Sequence, residues 1–261
     1  TIDEDAYYVA NTIYVIAKND NYLLALLNSL LIWAYLKKNC SVLGDVEQGG
    51  RIRIFNIFME TLPIRRINFT LSPEQRAYYL KKTKNLYAYC LEKNDQQCVL
   101  GFVDHHLSQQ PEEPDVVQDL LAFLAEVMIR LNKEKRAAQR EFLDWLVATL
   151  KILPDKEGRT GIDVLTGKAK LADYPGDYQK AEPPLATDEL LEILRKNKNR
   201  LGVSLSDAGL VDRIRKMYEE SLQRVLPIKE RLGKTDALID AVVCRLYGLT
   251  EEEIGVVEGR G

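Results

Sequence analysis

The sequence predicts an α-rich α+β protein: a small sheet with a buried helix at the N-terminal end, followed by a mainly helical bundle with long helices. Three observations predict it. The run at 6–18 and the alternating Arg51-Ile52-Arg53-Ile54-Phe55 are rich in β-branched and aromatic residues and read as strands. Between them Leu23, Leu26, Leu27, Leu30 and Leu31 recur at helical spacing. From Asp115 onward apolar residues step by three and four over stretches far longer than any strand. With 261 residues, 46% hydrophobic and 29% charged, the chain can bury a sizeable core.

In the first strand Ile13, Val15 and Ala17 alternate with Tyr14 and Ile16. Asn19-Asp20-Asn21 breaks it and supplies a cap for the leucine helix. That helix ends at Lys37 and Lys38, cations that suit its negative dipole end. Asn28 and Ser29 interrupt its greasy stretch, Tyr22 to Leu36, so it reads as a buried helix rather than a membrane span. A loop over 41–50 ends in Gln48-Gly49-Gly50. In the strand that follows, alternation puts Arg51 and Arg53 on one face. Leu62-Pro63-Ile64-Arg65-Arg66 closes this section with an extended turn.

Ser72-Pro73-Glu74-Gln75 carries Ser at the cap, Pro at the first position and Gln where a capping box needs it, and starts a helix to about Glu92. The proline-bearing stretch from Gln109 to Pro114 marks a boundary. The expected segments are therefore 1–70, a connecting helix and loop at 71–114, and a helical spacer at 115–261. In the last, Val117, Leu121, Leu124, Met128 and Leu131 form a seam that resumes at Ala138, Phe142 and Trp145 and stops at Pro154. A Gly/Pro/Asp-rich connector fills 155–186. Thr187 opens another helix. The series Val211, Ile214, Tyr218, Leu222 and Val225 marks a third, kinked or ended near Pro227 and carried onward to Gly248. Thr250-Glu251-Glu252-Glu253 is a capping box for a short last helix.

The net charge is −3, but residues 37–84 hold ten Lys/Arg against four Asp/Glu. Such local asymmetry points to a nucleic-acid surface on an otherwise acidic protein, the alternative being a solvated face that happens to be basic. Gln48, Arg51 and Arg53 have the side chains that bond base edges in pairs, Gln to adenine and Arg to guanine. Lys37, Lys38, Arg65 and Arg66 are the phosphate contacts. Surface arginines paired with acidic neighbours are the ordinary alternative for any one of them.

Catalytic patterns are missing. The chain has no P-loop, and its one Gly pair, Gly49-Gly50, precedes a strand instead of a helix. Pro183-Pro184 lacks the Asn or Asp before it and the aromatic after it that an amino-methyltransferase needs to hold a flipped base. Neither Pro114-Asp115 nor Pro154-Asp155 is followed by the Glu-x-Lys of a metal-dependent nuclease. Asp104-His105-His106 stands without further aspartates and reads as a polar loop with a satisfied histidine. Four scattered cysteines with no CxxC pair predict reduced core thiols and no zinc site. No catalytic and no metal-ligating residue is assigned. No charged-then-apolar leader is visible, and Thr1 in place of Met leads to the expectation of a cut or processed chain, cytoplasmic and off the membrane.

The stretch Asn11 to Lys38, NTIYVIAKNDNYLLALLNSLLIWAYLKK, resembles the strand-then-LLNS helix of target recognition domains in adenine-specific DNA methylases and type IIG restriction–modification enzymes. Gln48 to Ile64, QGGRIRIFNIFMETLPI, is similar to that domain's ending at a Leu-Pro-Ile turn. Asp115 to Lys135 and Thr235 to Gly259 resemble long helical elements that follow it. The likeness spans nearly the whole chain except 155–186. It implies a bacterial DNA-reading and spacer portion of a larger protein, non-catalytic by itself, with double-stranded DNA and an upstream methyltransferase domain as partners. It implies that S-adenosylmethionine, and Mg²⁺ if a nuclease is present, belong to that larger adenine-N6 methyltransferase. The alternative is a helical interaction module that self-associates through the 117–145 seam.

Overall fold

A computed structural model describes residues 18–43, 51–53 and 56–259. The described chain runs α1 (Asn21–Leu27), α2 (Leu30–Asn39), β1 (Ser41–Leu43), β2 (Arg51–Arg53), α3 (Asn56–Glu60), α4 (Pro73–Lys93), α5 (Gln97–Leu107), α6 (Pro114–Leu150), α7 (Lys168–Ala172), α8 (Thr187–Lys196), α9 (Ala208–Leu246) and α10 (Glu251–Val257).

The described residues form a helical protein with no sheet layer, which overturns the α+β expectation. The extended pairing among the described residues is an antiparallel ribbon, with Ser41 opposite Arg53, Val42 opposite Ile52 and Leu43 opposite Arg51, and a single antiparallel bridge between Ile152 and Leu201. Strands of three residues present no face that a helix can cover, so no sheet layer forms among the described residues. The strand expected at 6–18 lies outside the described residues apart from Lys18. Helices α1 and α2 instead bury Leu26 and Ile32 completely, and α2 packs on Phe58, Leu62 and Ile64.

The chain divides into two compact units: residues 1–129 with 234–261, and residues 130–233. The segments expected at 1–70, 71–114 and 115–261 follow chain order; the compact units instead group the C-terminal residues with the first half. Helices α6 and α9 each contribute residues to both.

In the first unit the expected cap holds: Asp20 accepts from Leu23 N at 3.0 Å. The leucine helix is broken in two at Asn28–Ser29. Ser29, fully buried, donates to Leu26 O at 2.7 Å and caps α2 through Ile32 N. Helix α4 begins with the full Ser72–Gln75 capping box and ends at Asn94, whose φ of 53° is left-handed. Between α3 and α4 the chain from Thr61 to Leu71 has no regular structure, so its polar backbone groups need other partners. Side chains supply them. Tyr35 donates to Thr61 O at 2.9 Å, and the Tyr247 hydroxyl donates to Pro63 O at 2.6 Å while accepting from Arg65 N at 3.0 Å. Tyr22 donates to Arg65 O at 2.9 Å. Buried Asp115 accepts from Thr70 N at 3.1 Å and Leu71 N at 2.9 Å.

The second unit is built round an aromatic centre. Phe142, Tyr174 and Tyr218 are each 1% exposed or less, and the Phe142 ring centroid lies 5.2 Å from that of Tyr174 and 5.4 Å from that of Tyr218. The connector at 155–186 is ordered. Leu165, Leu171, Tyr174 and Leu185 enter this core. Asn197 receives Thr166 N and donates to Thr166 O, both at 2.9 Å. Gly176 has φ 76°, and a Cβ there would sit 2.6 Å from Pro183 O, so only glycine fits the turn. Lys229 reaches across to donate to Pro175 O at 2.7 Å and to Glu182 O. Pro227 lies inside α9 rather than ending it.

Candidate nucleic-acid interface

The residues expected to meet DNA come from α2, the ribbon and the extended segment after α3. Lys37 and Lys38 occupy the last turn of α2, both exposed, and the Lys37 ammonium lies 6.0 Å from the exposed Trp33 ring. Their position is set by the Ser29 cap, by the burial of Ile32 and Leu36, and by Asp240 of α9, which accepts from Leu30 N at 2.7 Å. One residue, Cys40, separates α2 from β1. Arg51 and Arg53 hold the first and third positions of β2, paired in backbone register with Leu43 and Ser41. Gln48 lies outside the described residues.

Arg65 and Arg66 part company. The Arg65 guanidinium makes a two-oxygen pair with Glu112, 2.7 Å to each, and donates to Leu246 O at the end of α9. It fastens the extended segment through Nη1 and Nη2. Arg66 is exposed. Lys37 and Lys38 therefore stand just ahead of β1 in the chain, whereas the Arg65 guanidinium is engaged by Glu112 and Leu246 O.

Asp104, His105 and His106 lie in the last turns of α5, not in a loop. The helix escaped sequence reading because Gly101 and the paired histidines mimic loop composition, although Val99, Leu100, Phe102 and Val103 carry a legible apolar face. His106 is 1% exposed, bonds Glu113 Oε2 through Nδ1 at 2.6 Å and packs edge-on to Tyr79 and Phe102. Asp104 faces Arg245 at 3.6 Å. No group of three metal-ligating side chains occurs among the described residues.

The two Pro-Asp pairs are structural as well. Asp115 holds Thr70 and Leu71 as described above. Asp155 accepts from Glu157 N and Arg159 N at 2.9 Å each and pairs with the Arg159 side chain. Burial raises all four thiols above their ordinary range, Cys244 to about 11 with a further push from Asp240, so none supplies a thiolate at neutral pH. A methyl-donor site would need a strand, a glycine turn and a helix in succession, and the described residues contain no such unit.

Among the described residues no helix is long and apolar enough to cross a membrane. No family model, no curated protein and no solved structure matches this chain.

Proposed function

We propose that this chain is the DNA target-recognition and spacer portion of a restriction–modification DNA adenine methyltransferase. The observation that carries the reading is the run of exposed Lys37 and Lys38 straight into a two-stranded ribbon that holds Arg51 and Arg53 at alternate positions. A duplex major groove, ~12 Å wide, admits such a ribbon, and arginine is the side chain that pairs twice with guanine. Lysines at the root of the ribbon suit the flanking phosphates. The long helices α6 and α9 form the spacer. In this reading S-adenosylmethionine, and any Mg²⁺, are held elsewhere in the larger protein.

The test is fluorescence anisotropy of labelled duplexes with the full chain over a series of salt concentrations. Binding is expected to weaken steeply with salt. Arg51→Ala and Arg53→Ala each lower affinity for the preferred duplex by roughly 5- to 150-fold, the worth of one bidentate base contact. Affinity unchanged in both variants would remove the ribbon, and with it this reading.

Self-association through the 117–145 seam has less support. Val117, Leu121, Leu124, Leu131 and Phe142 are each 1% exposed or less, so the seam is spent on internal packing. A monomer at every concentration in sedimentation is the expected result.

A further inference from the structure

Beyond the ribbon, α4 carries a surface with a chemistry of its own. Its inner face buries Thr83, Tyr87 and Cys90. On the opposite face Tyr78 is 65% exposed and Tyr89 49%, with exposed Asn85 between them. Positions 78, 85 and 89 are two turns and one turn apart, so they form a strip. Exposed Lys81 and Lys84 flank it on one side and Lys82 on the other. The Lys82 ammonium lies 5.4 Å from the Phe102 ring and that of Lys84 5.3 Å from Phe123. These rings steady the two stems while leaving the charges in water.

No acidic residue occurs between Glu74 and Glu92, and none of the three lysines is ion-paired among the described residues. Arg76, on the inner side, is instead locked to Asp119, with Nε to Oδ2 at 2.8 Å. A helix serving only as scaffold gains from acids one turn away, and the protein uses that device elsewhere, in Arg130–Glu134, Lys196–Glu192 and Lys216–Glu220. On α4 the positive charge is left uncompensated beside side chains that donate hydrogen bonds.

We propose that the outer face of α4, Tyr78, Lys81, Lys82, Lys84, Asn85 and Tyr89, is a second contact for double-stranded DNA, gripping the phosphate backbone without reading bases. The proposal rests on the DNA-binding reading above. Three ammonium groups match the charge of the backbone, and tyrosine hydroxyl and asparagine amide are regular donors to phosphate oxygens. The strip from Tyr78 to Tyr89 is ~16 Å long at 1.5 Å per residue, enough for several phosphates. An anionic lipid surface fits less well, because the face has no Leu, Ile, Phe or Trp to insert.

The experiment compares the full chain with the triple variant Lys81→Gln, Lys82→Gln, Lys84→Gln on two unrelated duplexes, with circular dichroism and thermal midpoint confirming an unchanged fold. The expected result is an affinity loss of the same factor on both duplexes. The slope of log affinity against log salt should be shallower by about 2.7, at ~0.9 per phosphate contact. Tyr78→Ser with Tyr89→Ser adds a smaller loss, again equal on both. If the triple variant keeps both slope and affinity while Arg51→Ala weakens binding, the α4 face is idle and the DNA reading stands without it. If the wild-type chain shows no salt-dependent binding to any duplex, both readings fall. A third arm uses phosphatidylcholine vesicles containing phosphatidylserine, and lysine-dependent binding to these in preference to duplex would overturn the proposal in favour of a lipid surface.

Discussion

The two compact units differ in where acids are missing beside surface cations: in the first, α4 carries none between Glu74 and Glu92. In the second, several cations stand beside acids: Arg224 with Glu141 at 2.9 Å, Arg215 with Asp188 at 3.2 Å, Lys196 with Glu192 at 3.8 Å. In the first, Lys37, Lys38, Lys81, Lys82 and Lys84 have no acidic partner among the described residues, while Arg65 and Arg76 are tied down by Glu112 and Asp119. Exposed pairs add little stability, so the contrast lies less in folding energy than in what is left for an outside anion. Their interiors differ as well. The second unit centres on three packed rings; the first holds an irregular segment by hydrogen bonds from tyrosines, an arginine and a buried aspartate.

Breaking each interior should therefore fail in its own manner. Phe142→Ala removes the ring between Tyr174 and Tyr218 and should cost about 3–5 kcal/mol, read from urea unfolding of the chain. A loss below ~1 kcal/mol would mean that the aromatic centre is not what holds the second unit. Asp115→Ala strips the acceptor from Thr70 N and Leu71 N and should cost about 2–3 kcal/mol. Hydrogen exchange should quicken at 70–76 first; uniform exchange across the first unit would contradict the local role given to Asp115.

Asp240 sharpens the comparison through pH. Burial is the largest cause that lifts its carboxyl to about 6, with Asp236 and Glu258 adding to the rise and the Leu30 N–H opposing it. A folded pKa above the unfolded one favours the protonated form on folding. This group's contribution is therefore most favourable below about pH 4, declines as pH rises to about 6, and stays low above that. The decline is on the order of 3 kcal/mol at most. Asp240→Asn keeps an oxygen for Leu30 N and should raise stability at pH 7 while flattening the change between pH 4 and 6. Destabilisation at pH 7 would show that the charged cap outweighs the burial.

The smallest effect belongs to the connector. Lys229→Met withdraws the ammonium from Pro175 O and Glu182 O and should cost roughly 1 kcal/mol. Limited proteolysis should then cut within 175–185 before any other site. An unchanged cleavage pattern would leave the connector held by Leu171, Tyr174 and Leu185 alone.

Much of the helical scheme was legible in the sequence, and for definite reasons. Ser72, Pro73 and Gln75 announce α4, Thr250 and Glu253 announce α10, and both capping boxes form. The seam of α6 is long enough to fix its period, and it is continuous from Pro114 to Leu150. The small sheet does not form among the described residues because strand patterning in Arg51 to Phe55 is local, whereas a sheet needs partners along its whole length, and the described ribbon pairs three residues of each strand. Arg65 meets a related limit. Composition shows a cation, but Glu112, 47 residues away, decides whether it is free. The same limit hid the role of Asp115, which a nuclease pattern brought to notice and a backbone turn explains.

The break at Asn28–Ser29 sets an angular phase. Because α2 starts afresh at its own cap, the bearing of Lys37 and Lys38 about the helix axis is measured from Ser29 and from the Asp240 anchor at Leu30 N, not from α1. One residue inserted between Leu30 and Lys37 would swing both ammonium groups by about 100° relative to that anchor, since a turn holds 3.6 residues. One residue inserted before Ser29 would leave their bearing unchanged. The aim of those two charges is thus a property of seven residues and one hydrogen bond, and it can be turned like a dial without touching either lysine.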